Sequence, residues 1–80
     1  MTLSLFVEMK VTDVKIFGQK IREKRKKLNY TQTFLADFSG LSVSFISDLE
    51  NGKASCEIGK AIYLVNILGI DCILSDRGEE

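Results

Sequence analysis

From Met1 to Thr12 apolar and polar residues alternate. Leu3, Leu5, Val7, Met9 and Val11 share one parity, and Ser4, Glu8, Lys10 and Thr12 share the other, with Phe6 out of phase. Period two with branched side chains predicts a strand. No partner strand is adjacent in sequence, so the alternatives are a mobile arm or initiation at Met9. From Thr12 or Asp13, either of which can cap a helix, the period lengthens. Val14, Phe17, Ile21 and Leu28 follow spacings of three, four and seven and mark one face of a helix that ends at Leu28. Asn29-Tyr30 makes the break. A short helix then starts at Thr31, whose hydroxyl can accept an unpaired backbone N–H in the opening turn. Leu35, Ala36 and Phe38 supply its apolar contacts, and Gly40 ends it. Leu41 plugs the turn and Ser42 caps the next helix. Ile46 and Leu49 lie on that helix's inner face, and Gly52 closes it.

Ala54-Ser55 is a short link to a fourth helix, from Cys56 or Glu57 to Leu68. Its expected buried stripe is Ile58, Ala61, Ile62, Val65 and Leu68, and Gly69 stops it. Beyond it Ile70, Cys72 and Leu74 alternate with Asp71, Ile73 and Ser75, which predicts a short strand. Asp76 to Glu80 is a polar tail. The expected architecture is an all-α domain of four to five helices with a short C-terminal β-strand. It divides into an arm or strand over 1–12, a helical domain over 13–69, and a strand and tail over 70–80.

Eighty residues, 45% of them hydrophobic, suffice for one small helical core. Cores of this size are marginal, and dimerisation is a common remedy. The net charge is zero, but its distribution is lopsided. Between Lys15 and Lys27 lie seven of the eleven basic residues and one acid, Glu23. That gives a local charge of +6, and the remainder carries −6. Such asymmetry can hide a nucleic-acid footprint inside a neutral total; the bland alternative is a solvated helix face.

Catalytic chemistry is sparse. There is no histidine, no G-x-S-x-G elbow and no glycine-rich phosphate loop. Asp48 and Glu50 are two apart on a helix and point in different directions. Cys56 and Cys72 form no CxxC pair and are too few ligands for zinc; both are expected as buried thiols in a reducing cytosol. No metal or cofactor is expected. TLSLFV is too short for a signal core, and no stretch approaches a membrane span, so a cytoplasmic protein is expected.

Two short helices joined by a glycine-containing turn form a helix-turn-helix, whose second helix shows an outer face to a partner, foremost the major groove of DNA. The residues Gln32, Leu35-Ala36, Gly40-Leu41-Ser42, Ile46-Ser47 and Leu49-Glu50-Asn51-Gly52-Lys53 resemble the helix-turn-helix of the phage repressor/Cro class, often called XRE. The likeness runs from about Asp13 to Leu74. Within that class, Phe45 to Lys53 and Leu68-Gly69-Ile70-Asp71-Cys72-Ile73-Leu74 are most similar to HipB-type antitoxins, the DNA-binding partners of HipA-type kinase toxins.

The DNA-binding reading assigns roles. Thr31 and Gln32 open a helix whose N-terminus faces a phosphate. Val43, Ser44, Ser47 and Asp48 point outward from the recognition helix, which Ser42 caps. The two serines can meet several bases, Val43 a thymine methyl, and Asp48 a cytosine amino group. Phe45 is either packed under the helix or laid against the sugar-phosphate rim. No Arg, Gln or Asn precedes Asn51 on that helix, so DNA shape can carry part of the discrimination. The resemblance adds that Gln32, Asn51 and Lys53 contact phosphates, that Arg25 pairs with Glu50, and that Ile70, Cys72 and Leu74 belong to a strand pairing with its twin in a homodimer. It implies a repressor of a toxin-antitoxin operon that binds double-stranded operator DNA and a HipA-type kinase. A stand-alone repressor or restriction-modification controller is the alternative. A third reading is a protein-interaction module that no longer reads DNA.

Overall fold

The computed structural model describes residues 9–77. Four helices follow one another: α1 Val14–Lys27, α2 Gln32–Ser39, α3 Val43–Glu50 and α4 Ile58–Ile67. The expected strand or arm over 1–12 lies mostly outside the described residues.

Three short polar side chains set the helix starts. Asp13 accepts from the Ile16 N–H at 2.9 Å, Thr31 from Phe34 at 2.9 Å and Ser42 from Phe45 at 3.0 Å. Each pairs one of the donors that a helix leaves open in its first turn. Leu28 caps α1, and Asn29, at φ 62°, turns the chain away. Gly40, at φ 80°, ends α2 in the left-handed conformation, and three residues later α3 begins.

The core consists of Ile21, Leu35, Ala36, Ile46, Leu49, Ala61, Leu64, Val65 and Leu68, with Val14, Phe17, Tyr30, Leu41 and Phe45 packed against it. α3 sits at its centre, between α1 and α2. The closest approach is at Gly18 of α1. A Cβ there would collide with the backbone carbonyls of Leu49 and Glu50. The missing side chain lets α1 lie directly on the last turn of α3. At the next step of the chain, Gly52 (φ 81°) lies against Lys15, where a Cβ would come within 2.9 Å of the Lys15 Cα. α4 is tied to α2 by the Tyr63 hydroxyl, which donates to the Ser39 carbonyl at 2.8 Å.

Four expectations need correction. Leu28 is exposed, because it stands past the last turn of α1; Arg25, one turn earlier, takes the inner place. Phe38 is exposed rather than part of the core. It stacks on Phe34 one turn back, with ring centroids 5.9 Å apart. On α4 the buried stripe is Ala61, Leu64, Val65 and Leu68, and Ile58 and Ile62 lie outside it. Apolar residues surround most of α4, so periodicity alone cannot choose its inner face. Cys72 is exposed and only Cys56 is half-buried, so the expectation of two buried thiols fails.

No strand occurs among the described residues. The chain leaves α4 through Gly69 (φ 77°), and the Ile70 N–H donates back to the Val65 carbonyl at 2.9 Å. Ile70 packs on the core, but Cys72, Ile73 and Leu74 stand in solvent. Every other element of the described chain is a helix, so a strand here has no neighbour with which to form a ladder.

Candidate nucleic-acid interface

Two polar clusters organise the helix-turn-helix. In the first, the Arg25 guanidinium grips Glu50 with two parallel bonds, Nε to Oε2 at 2.7 Å and Nη2 to Oε1 at 2.9 Å. Its Nη1 donates to the Tyr30 carbonyl at 2.9 Å. The Gln32 amide adds a fourth bond, Nε2 to Glu50 Oε1, at 3.1 Å. The Glu50 carboxylate thus joins the end of α3 to α1 and to the start of α2, and Arg25 ties in the α1–α2 link. The two side chains are only 9% and 2% exposed. At that depth an unpaired charge would be strongly disfavoured, so the match of donors to acceptors is what permits burial. The hydrogen bond to Glu50 also holds the Arg25 pKa above its ordinary value, outweighing the opposing effect of burial.

This cluster changes the picture of Gln32. Its side chain, expected to reach toward a phosphate, donates instead to Glu50. That bond brings the opening of α2 against the closing turn of α3. Phe34's N–H is occupied by the Thr31 hydroxyl. The N–H groups of Gln32 and Thr33 belong to the part of a helix that makes no intrahelical bonds and is suited to an anion.

The second cluster lies on the outer face of α3. Ile46, Leu49 and Glu50 are buried, so helical spacing turns Ser44, Asp48 and Asn51 to the opposite side, with Val43 and Ser47 along its edge. Val43, Ser44 and Asn51 are exposed; Ser47 and Asp48 are half-buried. Asp48 Oδ2 meets Lys53 Nζ at 3.4 Å, which draws the α3–α4 link onto the same face. Asn51 is the C-cap of α3. Phe45 is half-buried against the core, with the Lys60 ammonium 6.0 Å from its ring centroid, so it packs under the helix. The hydroxyls of Thr31 and Ser42 are occupied as caps. Ile70, Cys72 and Leu74 belong to neither cluster.

Sequence reasoning missed three contributors. Gly18 carries no chemical signal at all. The Ser39 hydroxyl, buried under the turn, accepts from the Leu41 N–H at 3.1 Å and steadies the link between the two helices. Tyr63 locks the far end of α2. A serine at the last position of α2 could have been suspected of such local bonding.

Residues 21–72 match the helix-turn-helix family known as HTH_3. The chain belongs to this XRE-type helix-turn-helix family. It is 37% identical over 62 residues to an uncharacterised HTH-type transcriptional regulator, y4mF, of Sinorhizobium fredii, covering 78% of this chain and 82% of that one. Among solved structures it resembles a chain of a HipB–O4 20mer complex, with TM-score 0.79 at 20% identity, covering 89% of this chain and all of that one. The same values hold for a chain of a HipA–HipB–O2–O3 complex. The all-α fold is therefore that of HipB, and the protein is a DNA-binding transcriptional regulator of the helix-turn-helix type. The family is one of regulators rather than enzymes. No helix of the described residues is long and apolar enough to cross a membrane.

Proposed function

We propose that this regulator works as a homodimeric antitoxin that represses its own operon and binds a HipA-type kinase. The observation that carries the DNA half of this reading is the outer face of α3. Its Ser44, Asp48 and Asn51 project away from a helix whose inner side is fully packed. α3 enters the major groove. Val43, Ser44, Ser47 and Asp48 meet base edges there. The start of α2 at Thr31 and Gln32, together with Asn51 and Lys53, rests on phosphates and sets the register. In this role Gln32 acts chiefly through its backbone N–H, because its amide steadies Glu50.

The C-terminal segment makes the dimer. Cys72, Ile73 and Leu74 are apolar or weakly polar and exposed after a helix stop, and Ile70 anchors them to the core. Pairing with the same segment of a second copy satisfies the backbone and covers these side chains. Two half-sites about one helical turn apart are then read together. Support for the kinase partner comes from the shared fold with HipB, which occurs in a complex with HipA.

The test is co-expression with the adjacent gene product, followed by gel shifts of the upstream DNA at rising salt. Copurification of a kinase and a salt-sensitive shift are expected. A shift without any copurifying kinase would favour the stand-alone repressor, a reading consistent with the y4mF relative, which is a transcriptional regulator by name. No shift at any salt would leave only a protein-interaction module.

A further inference from the structure

Asp48 is the one acidic group on the outer row of α3, and its surroundings do not explain it as a structural residue. It caps no helix. Its partner is Lys53, at 3.4 Å, with the two side chains 45% and 56% exposed. A single exposed ion pair of that length contributes little to stability. Facing a polyanion, a bare carboxylate is unfavourable, yet here a lysine sits beside it and offsets the charge locally.

We infer that Asp48 is a specificity-determining residue that selects a cytosine in each half-site, with Lys53 shielding its carboxylate from the flanking phosphates. The inference rests on the DNA-binding reading above. An ionised carboxylate only accepts hydrogen bonds. In the major groove only the cytosine N4 and adenine N6 amino groups donate. Guanine presents N7 and O6 acceptors, and thymine presents O4 and a methyl, so both repel or exclude the group. Adenine places its N7 acceptor next to N6, where the second carboxylate oxygen would meet it. Cytosine has a C–H at the corresponding position and imposes no such penalty. Its neighbours on the helix, Ser44 and Ser47, carry hydroxyls that donate as well as accept and so discriminate poorly. Asp48 is therefore the side chain on this face with the narrowest choice of base.

The experiment is selection from randomised duplexes with the full-length protein and its Asp48→Ala and Asp48→Asn variants. The wild type should enrich cytosine at one position per half-site. Asp48→Ala should flatten that position alone, a loss of roughly 5- to 150-fold in discrimination. Asp48→Asn should move the preference to adenine, because a carboxamide pairs with N6 and N7 together. Because the pair is exposed, both variants should keep the wild-type thermal midpoint, which separates a reading defect from misfolding. If Asp48→Ala binds every duplex more tightly and leaves the enriched sequence intact, Asp48 is only a repulsive charge and the inference is overturned. If the wild type binds no duplex, the DNA-binding reading fails and takes this inference with it.

Discussion

Replacing Arg25 with methionine should destabilise the fold by about 3–5 kcal/mol. The substitution removes both bonds to Glu50 and the bond to the Tyr30 carbonyl. Glu50, 2% exposed at its side chain, keeps only the Gln32 amide. An 80-residue domain has a total stability of about 4–12 kcal/mol. The single change therefore removes a large share of it, and the urea midpoint should fall by about 3–5 M, given a slope near 1 kcal/mol/M for so small a protein. The partner change tells cause from coincidence. Arg25→Met combined with Glu50→Met removes the stranded charge, so the double variant should be more stable than Arg25→Met alone, with a coupling energy of at least about 2 kcal/mol. The raised Arg25 pKa keeps the guanidinium charged. Its contribution is fully present below the unfolded value and is lost only as pH rises through the folded one, far above neutral. Wild-type stability should hence show no pH dependence from Arg25 between about pH 5 and 9. Added salt should barely affect the pair, since burial protects it from screening. Urea titrations followed by circular dichroism give all of these quantities. A coupling energy near zero would refute the reasoning, because the carboxylate would then be indifferent to its partner.

Gly18→Ala should destabilise the domain although alanine is the better helix former, because the new methyl meets the α3 carbonyls; a thermal midpoint at or above wild type would show that α1 can shift away freely. Lys53→Ala should weaken binding to all duplexes and reduce the slope of log affinity against log salt by about one; an unchanged slope with altered base preference would move Lys53 among the base readers. Deleting residues after Gly69 should leave a folded, largely monomeric domain with much weaker operator binding, measured by sedimentation and gel shift. Persistence of a tight dimer would relocate the interface to α4, where Ile58 and Ile62 are exposed and Ile58 lines an apolar groove with Val11, Val14 and Cys56.

The parts of the fold that were legible in the sequence are those fixed by local chemistry. Asp13, Thr31 and Ser42 announce helix starts because each offers an oxygen to a nearby N–H, whatever the tertiary context. Gly40 announces a stop because it reaches φ 80° without strain. Ile46 and Leu49 fall on the buried face because the small polar and acidic side chains Ser44, Ser47 and Asp48 take the other side of α3. The inner face of α4 was only partly legible: Ala61, Val65 and Leu68 are buried as expected, but Ile58, Ile62, Leu64 and Ile67 leave too little polar contrast to place its edges. The bond from Gln32 to Glu50 was not legible, because that polar partner is distant in sequence. A glutamine at a helix start looks free until Glu50 is seen 3.1 Å away. The pairing of Arg25 with Glu50, 25 residues apart, came from family likeness, and composition or spacing alone could not have found it.

The contact at Gly18 has a bearing on how such a regulator could change its target. Because α1 meets α3 there backbone to backbone, the tilt of the reading helix is set by main-chain atoms that every sequence shares. Side chains on the outer row can then be exchanged without re-aiming the helix that carries them. A lineage of these proteins could therefore drift in operator preference one outer residue at a time, while the angle at which the helix is presented stays fixed.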